Sequence, residues 1–122
     1  MARRPSAVRG PPKWHQPRER QVGVYTVVRT YSGQGASELF DLLGQREADV
    51  KALIGGVPGF VTYAAFRSGD GGVTMTVCED RAGTDESSRR AAGWVTENVT
   101  AAPDPPVITE GDTVLQFSGV TT

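Results

Sequence analysis

Histidine and cysteine are almost missing from this 122-residue chain, which has one of each. A single cysteine excludes an intramolecular disulfide, and no Cys-x-x-Cys pair is present to hold zinc or run a redox exchange. Small secreted domains usually depend on such cross-links, so a reducing, cytoplasmic setting is expected. The one histidine, His15, falls among the first twenty residues. The rest of the chain therefore has no imidazole for general acid–base work or metal ligation. Long apolar runs are missing too: none approaches the roughly 18–20 residues of a membrane span. The arginine-rich start lacks the apolar stretch of a secretory signal, and Pro5, Pro11, Pro12 and Pro17 would interrupt the helix of an organellar transit peptide. A soluble, cytoplasmic protein without a membrane partner is expected.

What is present is ordinary in amount and uneven in placement. At 38% hydrophobic and 22% charged residues, the composition fits one globular domain. The net charge of −1 conceals a segregation. Residues 1–20 carry Arg3, Arg4, Arg9, Lys13, Arg18 and Arg20 against Glu19 alone, and the acidic excess lies entirely beyond them. Four of the eight prolines share that segment, three more cluster at 103–106, and only Pro58 lies between. This predicts a flexible basic arm over 1–20, a domain over 21–118 and a short tail over 119–122.

The run Gln21–Tyr31, rich in valine, threonine and tyrosine, predicts a first strand. Ser32-Gly33-Gln34-Gly35 breaks it. Apolar residues at 36, 39, 40, 43, 50, 53 and 54 then mark one face of a helix over 36–54, with Glu47 interrupting the stripe. Gly55-Gly56 would stop that helix through a left-handed cap. A second strand over about 59–67 and a third over about 73–79 flank Ser68–Gly72, whose Asp-Gly pair suits a tight hairpin. The third alternates Val73, Met75 and Val77 against Thr74, Thr76 and Cys78. A second helix is expected to begin at Thr84 as N-cap, with Ser88, Ala91, Ala92, Val95 and Val99 as a narrow packing face. A last strand is expected over Val107–Phe117, bent or split near Glu110-Gly111-Asp112.

The order βαββαβ predicts an α+β, ferredoxin-like fold: a four-stranded antiparallel sheet with two helices on one face. Alternation within the strands leaves apolar residues on both sheet faces. Val22, Val24 and Val28 oppose Tyr25, Val27 and Tyr31; Phe60 and Phe66 oppose Val61 and Tyr63; Val114 opposes Leu115 and Phe117. Helices cover only one face, and an uncovered apolar sheet exceeds what monomers normally expose. A homodimer packed sheet against sheet is the expected partner arrangement.

Val24-Tyr25-Thr26-Val27-Val28-Arg29, the helix after it, Gly56-Val57-Pro58-Gly59-Phe60, the Gly-Asp-Gly hairpin and Val77-Cys78-Glu79-Asp80 together resemble the antibiotic biosynthesis monooxygenase-like proteins. These belong to the dimeric α+β barrel superfamily. The resemblance spans about residues 22–118 and is sharpest at the helix–VPGF–strand junction. It implies a homodimer with a ligand cavity between sheet and helices. Within that family some members oxygenate aromatic polyketides or quinols without a cofactor, some degrade haem, and many have no assigned activity.

Cofactor-free oxygenation needs a dry pocket, a proton acceptor and a positive group near the developing oxyanion. Arg29 and Arg67 are candidates for the positive group. Tyr25, Tyr31 and Tyr63 are candidates to hydrogen-bond a phenolic or quinone oxygen, and Trp94 to stack on an aromatic ring. The competing reading makes the tyrosines core or interface residues and pairs the arginines with acidic neighbours. Trp94 and Asn98, one helical turn apart, resemble part of the Asn/Trp/His set of haem-degrading relatives. No histidine in the body completes that set, so packing and helix-end roles are expected for both, with no cofactor.

Other motifs resolve into structure. Cys78 has no base or cation nearby in sequence and reads as a buried structural thiol. Gly33-Gln34-Gly35 opens like a phosphate loop, but Glu38 occupies the third glycine position, so it reads as a turn. Glu79-Asp80 and Asp85-Glu86 suit a strand end and a helix start, with no metal. Trp14 among the basic residues of the arm could serve a nucleic acid, yet no reading motif accompanies it and no nucleic-acid partner is expected.

Two leading readings follow: a small-molecule-binding dimer for an aromatic or quinone-like ligand with cofactor-independent monooxygenase activity, or a non-catalytic ligand-binding or sensing dimer of the same fold. A nucleic-acid-associated dimer acting through the arm is a third.

Overall fold

The structure is a computed structural model and describes residues 24–119. The predicted arm over 1–20, Val22, and the last residues of the tail lie outside the described residues.

Strand β1 (Tyr25–Tyr31) leads through Gly33–Gly35 into helix α1 (Ala36–Gln45). Helix α2 (Glu47–Gly55), strands β2 (Phe60–Ser68) and β3 (Gly71–Cys78), helix α3 (Arg81–Asn98) and strand β4 (Val107–Asp112) complete the chain. The strands form one antiparallel sheet in the order β2-β3-β1-β4, with the helices on one face, as the βαββαβ pattern predicts. No helix among the described residues is long and apolar enough to cross a membrane.

The entry to α1 depends on Gly35. Its φ of 91° lies in the left-handed region, and a Cβ there would overlap the Ala101 carbonyl oxygen. The core follows at once: Tyr31, Ala36, Leu39, Phe40 and Val99 are buried together, with Trp94 and Val95 packed against them. Tyr31 and Phe40 meet edge to face at 6.1 Å.

The single helix expected over 36–54 is two. Arg46 leaves helical geometry at φ −117° and ψ 42°. Its guanidinium donates to Asp49 at 3.0 and 2.8 Å and to Asn98 at 2.8 Å, and lies 5.8 Å from the centre of the Trp94 ring. The break turns the Glu47 interruption of the apolar stripe into the acidic first turn of α2, where the helix dipole favours it. The expected left-handed cap at Gly55-Gly56 is absent; Gly56 is right-handed at φ −81°, and the chain turns instead at Gly59, φ 81°.

Further boundaries differ. Ser68 pairs with Gly71, so the hairpin loop is Gly69-Asp70, with the left-handed conformation at Gly69 (φ 60°) rather than at the Asp-Gly pair. Helix α3 starts at Arg81, with Asp80 as N-cap accepting from the Gly83 amide at 2.9 Å. Asp80 outcompetes the predicted Thr84, whose hydroxyl instead donates back to the Arg81 carbonyl from a buried position. The buried face of α3 is Gly83, Thr84 and Ser87, and Ala92 is exposed. Strand β4 ends at Asp112, so Val114, Leu115 and Phe117 stand on no strand and are exposed.

A bulge at Val61 reassigns Phe60. It sits opposite Cys78, whereas Phe66 sits opposite Val73, so the two phenylalanines predicted on one face lie on opposite faces. The face without helices carries Val28, Val73, Met75 and Phe66, of which Phe66 is 57% exposed. Val107 on β4 adds a further exposed apolar side chain to it.

Candidate functional site

Helix packing leaves the β2 edge of the sheet open. Between β2 and α1–α2 runs a groove of about 610 Å³, within the roughly 300–1,000 Å³ usual for small-molecule sites. Phe40, Leu43, Val50 and Ile54 form its helical wall, and Tyr63, Ala65 and Arg67 project from β2. At its edge Arg67 pairs with Asp41 of α1, both half-exposed, as the paired-arginine reading anticipates. Glu47 and Lys51 also line it, so its charged groups sit around a mostly apolar trough.

Inside the groove, Tyr63 also lines a cavity of about 20 Å³ shared with Tyr31, Leu39, Thr74 and Trp94. That space holds about one water molecule. Burial pushes the Tyr63 phenol up to about 12, with Arg29 and the Thr74 hydroxyl pulling the other way. Tyr31 moves in the same direction for the same reason. Both phenols are therefore hydrogen-bond donors, not bases, at neutral pH.

Deeper still is Arg29, only 1% exposed. Its Nε donates to Ser88 at 3.1 Å, Nη1 to Thr74 at 3.3 Å and Thr76 at 3.2 Å, and Nη2 to Ser87 at 2.6 Å. Every acceptor is a neutral hydroxyl. No carboxylate lies within ion-pair distance among the described residues. The acidic-partner reading of Arg29 is thus corrected: the strand places it centrally, opposite Thr74 and under α3, away from the acidic surface. Desolvation lowers its pKa, yet a guanidinium stays charged in proteins. Ser87 and Ser88 can receive it because α3 lies close to the sheet; at Gly83 a Cβ would meet the Cys78 side chain at 2.8 Å.

Of the predicted residues, Tyr31, Tyr63 and Trp94 meet around the inner cavity, Arg29 lies behind Thr74, and Arg67 stands at the groove. Tyr25 and Asn98 line neither space. Tyr25 lies under the Arg81 guanidinium at 5.7 Å, and Asn98 donates to the Trp94 carbonyl and accepts from Arg46, a helix-end role. Thr74, Thr76 and Ser88 are legible in the sequence only as strand-face and helix-face positions, and Ser87 not at all. The strand signal is the alternation of Thr74 and Thr76 against valine and methionine, which marks a polar strand face. Buried Cys78 has its pKa raised mainly by burial. Among the described residues no group of three or more His, Cys, Asp or Glu side chains is placed to hold a metal ion.

No protein-family model and no curated protein matches the sequence. Solved structures do match. A monooxygenase from the gene ActVA-Orf6 of Streptomyces coelicolor, solved with nanaomycin D, is 20% identical over 86% of this chain and 99% of its own, with a TM-score of 0.55. The chain has its fold. NE2512 of Nitrosomonas europaea, a protein of unknown function, is 16% identical over 80% of this chain and 95% of its own, also at 0.55. The haem degrader MhuD of Mycobacterium tuberculosis, solved with two haems in its active site, is 16% identical over 78% and 99%, at 0.52. This fold is the one the resemblance to antibiotic biosynthesis monooxygenase-like proteins implies.

Proposed function

We propose that the chain binds a small aromatic or quinone-like molecule in the groove between β2 and α1–α2. The groove itself carries this reading: it is a mostly apolar trough, large enough for such a ligand, and has Tyr63 at its inner end and Arg67 at its edge. Neighbours in fold that take nanaomycin D or haem support a planar ligand. The binding unit is a homodimer closed through the helix-free sheet face, because Phe66 and Val107 on that face are apolar side chains that a single copy leaves in water.

Cofactor-independent oxygenation is the activity proposed for this groove. The ligand itself would donate electrons to oxygen, and the protein would exclude water and stabilise the developing oxyanion. One observation favours the non-catalytic binding or sensing reading instead: Tyr63 is held protonated, and Glu47 is the one carboxylate lining the groove among the described residues. Oxygen-electrode measurements with reduced naphthoquinols and polycyclic phenols separate the two. Turnover consumes oxygen, whereas a binding module raises the melting temperature without oxygen uptake. Absence of both effects across the panel refutes the groove as an aromatic-ligand site.

A further inference from the structure

We propose that Tyr63 is the side chain that meets the ligand at the inner end of the groove, and that Arg29 acts on it from behind through Thr74, so that the site selects an ionised aromatic oxygen over a neutral one. This rests on the groove being an aromatic-ligand site. The starting observation is a positive charge in the interior with no negative charge beside it. Burying an unpaired ion remains costly even after relaxation, and neutral hydroxyls satisfy four of the Arg29 donors without neutralising the charge. The guanidinium keeps one further N–H without a partner among the described residues.

The direction in which this charge acts follows from the sheet. Arg29 on β1 sits opposite Thr74 on β3, and Tyr63 on β2 sits opposite Thr76, all on the helix-facing side. The row through Arg29 and Thr74 ends at Ala65 on β2, so Tyr63, two residues along the same face, is the diagonal neighbour of Thr74 and the one tyrosine that lines both the inner cavity and the groove. Thr74 accepts from Arg29 at 3.3 Å, which leaves its own O–H free to point diagonally across the strand pair towards the Tyr63 phenol. Tyr63, with that hydroxyl and a guanidinium behind it, is a polarised donor facing the groove. An anionic oxygen placed against it completes the missing counter-charge without displacing any of the four Arg29 bonds. A neutral carbonyl gains only the hydrogen bond.

The test uses two naphthoquinones of matched size: lawsone, whose hydroxyl is ionised at neutral pH, and menadione, which is neutral. Binding of each to the full chain is measured by calorimetry. The parent protein is expected to bind lawsone at least about tenfold more tightly, in line with the strength of a hydrogen bond to a charged group. Tyr63→Phe leaves all four Arg29 bonds in place and should abolish that preference, with menadione affinity changed by less than about threefold. Thr74→Val should do the same, Thr74→Ser should restore it, and the double variant Tyr63→Phe/Thr74→Val should lose no more than either alone. Thermal melts establish that each variant is folded, and Tyr63→Phe decides the question if Thr74→Val is not. Equal affinity of the parent for both quinones overturns the proposal while leaving the groove as a ligand site. A lawsone preference that survives Tyr63→Phe but vanishes with Arg67→Gln also overturns it, since the anion is then held at the groove edge. Binding of neither quinone removes the proposal and the ligand-site reading together.

Discussion

Alkaline pH should weaken the fold through one phenol, and the effect can be worked from the burial of Tyr63. In the unfolded chain its reference pKa is 10.0, and in the folded chain burial raises it to about 12. Between those values the folded form keeps a proton that the unfolded form has released. Stability is therefore undiminished below about pH 10 and falls as pH rises towards 12. At about 1.36 kcal/mol per pKa unit, the full loss is about 3 kcal/mol, and near pH 11 it is about half of that. Tyr31 shifts in the same direction, again because it is buried, so total alkaline destabilisation is not the right measure. The Tyr63 contribution is the difference between parent and Tyr63→Phe. Urea unfolding of both proteins at pH 9 and pH 11 should show the gap between them moving by about 1 kcal/mol in favour of the phenylalanine variant. Near-ultraviolet phenolate absorbance should show that variant lacking one late-titrating group. A gap that stays constant across the two pH values would mean that Tyr63 is solvated in solution, and the closed inner end of the groove would be refuted with it.

Asp80→Ala removes the cap of α3 and should lower stability by about 1 kcal/mol, read from urea unfolding, whereas Thr84→Ser should have less effect because Thr84 does not cap. Leu39→Ala, at a site only 2% exposed, should cost about 2–5 kcal/mol by leaving a cavity beside Phe40 and Tyr31. Phe66→Asp places a charge on the helix-free face and should convert a dimer to monomers in sedimentation while leaving the far-ultraviolet circular dichroism unchanged; a parent that is already monomeric at micromolar concentration refutes the interface.

Period and punctuation made most of the fold readable. Alternation in Val73–Cys78, the apolar stripe from Ala36, and the glycines around it locate the elements to within a few residues, because local backbone preference and solvent contact both act at short range. The misplacements share a cause. The helix break at Arg46 is rewarded by Asn98 and Trp94, far along the chain, and the face of Phe60 depends on one extra residue at Val61 in the pairing with β3. Neither partner is visible from the neighbouring sequence. Strand β4 ends at Asp112, opposite Tyr25, although the β-prone residues continue to Phe117.

The candidate site divides in the same way. By itself the sequence determined that the body lacks imidazole, holds a single cysteine, and must build any polar site from arginine, tyrosine, hydroxyls and carboxylates. It also determined the order of elements, and through strand alternation that Arg29 shares a face with Tyr25 and Tyr31. Only the tertiary structure decided that Arg29 is buried against hydroxyls and not paired with an acid, that Tyr63 stands between cavity and groove, and that Tyr25 and Asn98 stand outside both. The reason is physical. A side chain's type fixes what chemistry it can perform, but its charge state, solvation and partners come from residues that fold onto it from elsewhere in the chain, here α3 above and β3 beside it.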